Sequence, residues 1–193
     1  MEETIASIFL GLGLAASVGF RVFMPLLVLS VASHFGQIPL NESWAWVGSI
    51  PAMSALGVAT VLEIAAFYIP WVDNLLDTVA VPTATLAGTA AMASTTMDLD
   101  PLWQWSLAII AGGGTAGLIK GAGAQTRVAS TASTGGLANP LLATAETLSA
   151  GALSLLSVFI WPIAAVIAIL LIVGAIFFMK KMLKFWRKLW GVT

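Results

Sequence analysis

Cysteine is absent from the 193 residues, charge is scarce, and there is a single histidine and a single tyrosine. Without a thiol the chain has no disulfide scaffold and no cysteine nucleophile or cysteine-ligated metal. One histidine cannot serve as both base and metal ligand set. Neither Gly-x-Ser-x-Gly nor His-Glu-x-x-His occurs, so the familiar hydrolase constellations are excluded. Charged residues make up 9% of the chain, where a soluble domain carries roughly 25%. Hydrophobic residues make up 59%, and mean hydropathy is +0.99. So few charges cannot wet a surface, and the solvent for most of this chain is lipid. A net charge of -1 leaves no basic footprint for nucleic acid.

A helix needs about 20 largely apolar residues to cross the hydrocarbon core. Six runs approach that length: 5–33, 44–68, 81–97, 102–119, 140–160 and 163–179. None alternates with period two, so helices are expected rather than a barrel. The expected fold is an all-α integral membrane protein of about six spans. Residues 1–179 would form one transmembrane domain and 180–193 a basic tail. The first run is too long for one untilted helix and carries Arg21 at its middle. It reads either as a tilted helix kinked near Gly19 and Pro25, or as a re-entrant hairpin turning at Arg21. The hairpin would move the N-terminus to the opposite side.

Five of the eight cations crowd the tail: Lys180, Lys181, Lys184, Arg187 and Lys188. With the tail in the cytoplasm and six spans, Lys120 and Arg127 fall on the same side. The loops near 35–43 and 98–101 then lie outside and hold only acidic residues, as the positive-inside bias requires. Trp44, Trp46, Trp103, Trp105 and Trp161 then mark the outer interface, and Trp71, Trp186 and Trp190 the inner one. Both termini are expected in the cytoplasm. The tail alternates basic and apolar faces at helical spacing, which suits an anchor on anionic lipid.

Ions inside apolar runs cost about 2.5–3.5 kcal/mol each on insertion scales and mark functional positions by default. Here they are Arg21, Glu63 and Glu146, with Arg127 in a cytoplasm-side loop able to dip inward. Two readings stand side by side. The arginines pair with the glutamates to fix helix register, or the group lines a ligand or transport pathway. Asp73 and Asp77 lie one turn apart beyond Pro70, where Asp73 can cap a short new helix. They suit the mouth of that pathway, or a hard cation such as Mg²⁺ held through oxygen ligands. No other cofactor is implied. The run Gly112-Gly113-Gly114 with Gly117 and Gly121 lacks the Gly-Lys-Ser/Thr of a phosphate loop and reads as close helix packing. With Arg21 aligned on Arg127, each arginine is followed by Pro-Leu-Leu, at Pro25-Leu26-Leu27 and, after an extra Ser/Thr/Gly stretch from Ser130 to Gly136, at Pro140-Leu141-Leu142. This reads either as two inverted three-helix halves with re-entrant segments or as chance similarity in a chain rich in Ala, Gly and Leu.

The stretch Gly11 to Leu27 with Arg21 and Pro25, then Glu63, Ile69-Pro70-Trp71-Val72-Asp73, Arg127 and Asn139-Pro140, resembles a family of small bacterial membrane proteins of unknown function. The resemblance runs to about residue 160 and implies a bacterial inner-membrane location. It brings no activity with it. Asp73-Asn74-Leu75-Leu76-Asp77 is also similar to the aspartate-rich motif of membrane prenyltransferases, but the second motif is missing: Asp98 and Asp100 face the other side.

The expected function is a small transporter or channel-like protein for a small solute or ion, with Arg21, Glu63, Arg127 and Glu146 as its polar site. At 20.0 kDa one chain is small for a complete pathway, which points to a homo-oligomer. The alternatives are a Mg²⁺-dependent enzyme or lipid-handling protein using Asp73 and Asp77, and a structural membrane partner.

Overall fold

The computed structural model describes residues 2–189, with the side chains of residues 70–75, 77 and 185–189 outside the described set. Among the described residues every regular element is helical: α1 (Glu2–Val18), α2 (Phe23–His34), a 3-10 helix (Glu42–Gly48), α3 (Ile50–Ala66), α4 (Pro70–Thr95), α5 (Pro101–Leu107), a π segment (Ala108–Gly113), α6 (Gly114–Thr134), α7 (Asn139–Phe159) and α8 (Trp161–Leu189).

Local chemistry sets the boundaries. Ser49 accepts from the Ala52 amide and Asp100 from the Leu102 amide, each with proline in the following turn, so α3 and α5 start on an N-cap followed by a preset φ. Proline also opens α4 and α7. Gly135 ends α6 in the left-handed conformation, φ 64°, and its amide returns to the Thr131 carbonyl.

Among the described residues three helices are long and apolar enough to cross a membrane: Pro101–Thr134, Asn139–Phe159 and Trp161–Lys184. The 3-10 helix and α3, bent by 64°, make a fourth if taken as one span. The expected six are therefore not all present as long apolar helices: the first run is broken, the second is bent, and the third falls mostly within α4, which is not among these spans. Helix α1 has 17 residues and α2 has 12, with the break at residues 19–22. Glu3, Ala6 and Ser7 at the start of α1 share a cavity with Gln37, Ile38 and Pro39 beyond α2, and with Trp161. The chain goes in along α1 and comes back along α2, forming a hairpin with Arg21 at its tip.

The hairpin sits in the centre of the bundle. Helix α1 packs on α4, α7 and α8, and α2 on α3 and α7. Phe9 stacks on Trp161 at 5.9 Å, so α1 and α8 start at the same end. The described start of α1 and the finish of α8 consequently lie at opposite ends of the bundle. This course is that of the hairpin reading of the first run.

Two other expectations change. Arg127 lies within α6, not in a loop, since the helix continues to Thr134. Asp73 is not an N-cap, because α4 begins at Pro70 and Ile69 holds the cap position. The basic tail begins within a helix, since α8 continues through residue 179 to Leu189. The glycine run behaves as expected. A methyl group at Gly112 would meet Met92 and the Gly88 carbonyl, and one at Gly113 or Gly117 would meet Thr85 or Thr89. These glycines let α4 approach the π segment and α6 backbone to backbone.

Candidate functional site

The break at the hairpin tip leaves the last carbonyls of α1 and the first amides of α2 in need of partners inside the bundle. Two charged side chains meet them. Both Glu63 carboxylate oxygens accept from α2, Oε1 from the Val22 amide at 2.7 Å and Oε2 from the Phe23 amide at 3.0 Å. Lys120 Nζ donates to the Phe20 carbonyl at 2.8 Å. The signs match the helix dipoles, with an anion at the N-terminal end and a cation at the C-terminal end.

Arg21 projects from the tip and is 0% exposed. Its Nη2 donates to the Ala143 carbonyl at 2.8 Å and its Nε to Thr147 Oγ1 at 3.0 Å. Glu146 lies on the same face of α7, between these two partners. Its Oε2 is 4.0 Å from Arg21 Nη2 and 2.5 Å from Arg127 Nη2. One carboxylate is thus shared by two buried guanidiniums. Phe67 forms the floor: its ring centroid is 3.9 Å from Arg21 Cζ, 4.7 Å from Arg127 Cζ and 5.5 Å from Lys120 Nζ, so three cations share one π-system. Arg21 Nη1 is buried with no hydrogen-bond acceptor among the described residues.

Arg21, Glu63, Arg127 and Glu146, singled out from sequence, are therefore brought together, but not in the pairs expected. Both arginines converge on Glu146, while Glu63 binds backbone. The backbone of α4 carries Asp73 and Asp77 in its first turns, but their carboxylates, and with them the proposed Mg²⁺ site, lie outside the described residues. Among the described residues no cluster of three or more His, Asp or Glu could hold a metal. His34 is exposed at the far end, its Nδ1 2.9 Å from the Gly48 carbonyl oxygen.

Two cavities flank the cluster. One, of about 360 Å³, lies between α6, α7 and α8 and is lined by Glu146, Ser149 and Thr126 among apolar side chains. The other, of about 420 Å³, lies between α2, α3 and α4 and reaches Glu63 and Lys120. Gly121 of α6 faces Met179 of α8, and the tip residue Phe20 shares the first cavity with Leu171 and Gly174. At 1.5 Å per residue the tip lies about 10 Å short of the level where the α8 cations begin.

A family model described as "Domain of unknown function (DUF4126)" matches residues 8–181. The chain belongs to this family. The match takes in the hairpin, the whole ion cluster and nearly all of the membrane part of α8, passing the point near residue 160 where the sequence resemblance was expected to stop. No curated protein and no solved structure matches the chain. Family membership supports the expectation of an uncharacterised family and adds no activity.

Lys120 and Phe67 were missed as site residues, and Lys120 was read as an exposed flanking cation. It is 4% exposed, as is Arg127. A signal was available: Lys120 and Arg127 are seven residues apart, two turns along one helix face, and Glu63 and Phe67 are four apart on another.

Proposed function

We propose that this chain is a small membrane transport protein that carries an anionic solute together with a proton. The observation that carries the reading is Glu146: one carboxylate held between two buried guanidiniums while lining a cavity. A protonated Glu146 no longer holds Arg21 and Arg127, and an incoming anion takes its place. Loss of the anion and the proton on the other side restores the pair. Among the described residues the charged groups around Glu146 are Arg21 from the tip and Arg127 and Lys120 from α6, with Glu63 of α3 acting on the same Arg21 and Lys120. A helix broken at mid-bundle with charged groups at both new ends is an arrangement that transporters use at substrate sites.

Orientation follows from the tail. Lys180, Lys181 and Lys184 are exposed where α8 leaves the apolar stretch, which supports a cytoplasmic placement of that end, with residues 2–7 on the outer side. Contact of the tail with anionic lipid and assembly of several copies complete the proposal.

Proteoliposomes loaded with a pH-sensitive dye and given an inward gradient of gluconate, succinate or phosphate test it. The intact chain should acidify the lumen for at least one anion. Arg21→Gln should abolish that signal, and Glu146→Gln should leave anion entry while uncoupling it from protons. Acidification unchanged by either substitution removes the reading.

A further inference from the structure

We propose that the crevice in front of Glu146 binds a single-chain amphiphilic carboxylate, an acyl anion entering from the bilayer, whose head competes with Glu146 for Arg21 and Arg127. This rests on the anion reading above and narrows its substrate class.

Three observations converge. The first is shape. The crevice holds about 360 Å³, within the roughly 300–1,000 Å³ of small-ligand sites, which suits one chain rather than the two of a phospholipid. Its walls are Phe20, Ile119, Leu142, Leu171 and Phe178, lining for a hydrocarbon body.

The second is access. Helices α7 and α8 join at Ile160, and the crevice lies in the half away from that joint. Ala145 and Ser149 on one lip and Leu170 and Gly174 on the other are exposed, so the mouth opens sideways towards lipid. Such a mouth admits an amphiphile already in the leaflet, which enters head first.

The third is the seat. Glu146 is the charged residue lining the crevice, and both arginines stand behind its Oε2. The position between them already holds a carboxylate, so a ligand carboxylate needs no new geometry to replace it. Gly123 leaves room for the other oxygen: a Cβ there would come within 3.2 Å of Glu146 Oε1. Two guanidiniums behind the seat repel an ammonium head. The cavity beside α3 offers no equivalent, because Glu63 binds two backbone amides and no arginine is among the described residues lining it.

Binding of radiolabelled dodecanoate to the protein in phosphatidylcholine nanodiscs, with no gradient present, tests the assignment. Dodecanoate should bind saturably and at least about tenfold more tightly than dodecanol or dodecyltrimethylammonium. Glu146→Gln removes the competing charge and should tighten binding by about tenfold. Gly174→Phe projects into the crevice from a position with nothing within 4 Å, and should abolish binding without touching the ion cluster. Dodecanol competing as well as dodecanoate, weaker binding in Glu146→Gln, or parental binding in Gly174→Phe each overturns the site. Should Glu146→Gln fail to fold, the Gly174→Phe and dodecanol results still decide. Saturable dodecanoate binding without proton-coupled flux would remove the transport reading and leave this site. Gluconate flux without dodecanoate binding would do the reverse.

Discussion

Glu63 shows how a charge in the hydrocarbon can be structural and still stand at a functional address. Its two oxygens replace the two missing acceptors of a helix that begins inside the bundle. Removing them leaves two amides without partners, each worth about 1–3 kcal/mol when buried. Glu63→Ala should therefore lower the unfolding temperature in detergent sharply. Glu63→Gln, which keeps one carbonyl oxygen but turns its NH2 on the other amide, should lose about half as much. Equal losses from the two would mean that the charge, not the acceptor, holds the hairpin. The membership of this cluster was largely legible in the sequence, because an ion in an apolar run must find company and few partners were on offer. The pairing was not legible. It depends on a backbone break whose orphan amides compete for the same carboxylate as the arginines, and that competition appears only once the tip is folded. Lys120 escaped notice because it closes an apolar run, where a cation usually marks the interface.

At the scale of elements, the later helices were readable and the first were not. Runs 140–160 and 163–179 are long, apolar and bounded by proline, and they form α7 and most of α8. The run 102–119 was cut too early, since polar residues of the Thr126–Thr134 stretch remain helical: Thr126, Ser133 and Thr134 hydroxyls bond carbonyls one turn back. The proposed repeat fares poorly here, with Arg21 in a break and Arg127 inside an intact helix. The glycines give the element-scale prediction. Gly112 faces the α4 backbone, while Gly114, two residues on, faces open space. Gly112→Val should cost about 1–3 kcal/mol or more, since the obstacle is partly backbone. Gly114→Ala should stay within about 1 kcal/mol, on the stabilising side. Thermal unfolding followed by circular dichroism reads both, and equal effects would mean that α4 and α6 do not meet through this seam.

For the whole molecule, the decisive feature is that α1 and α2 together make one trip in and back. Such a hairpin places a charged tip deep in the bundle, where α3, α6 and α7 supply its partners, while both of its outer ends stay with the tryptophan-bearing loops. A single tilted helix over the same residues would carry Arg21 past these partners and set Glu3 and Gln37 on opposite faces. The absence of cysteine makes the difference directly measurable, because any introduced thiol is the only one present. Glu3, Gln37 and Lys184 are exposed. Single substitutions Glu3→Cys, Gln37→Cys and Lys184→Cys, each treated in intact cells with a membrane-impermeant maleimide, should label from outside at positions 3 and 37 and only after lysis at 184. Labelling of 3 and 184 from the same side would replace the hairpin by a full crossing. It would also carry Arg21 away from Glu146, leaving the shared carboxylate with one arginine and no reason to release it.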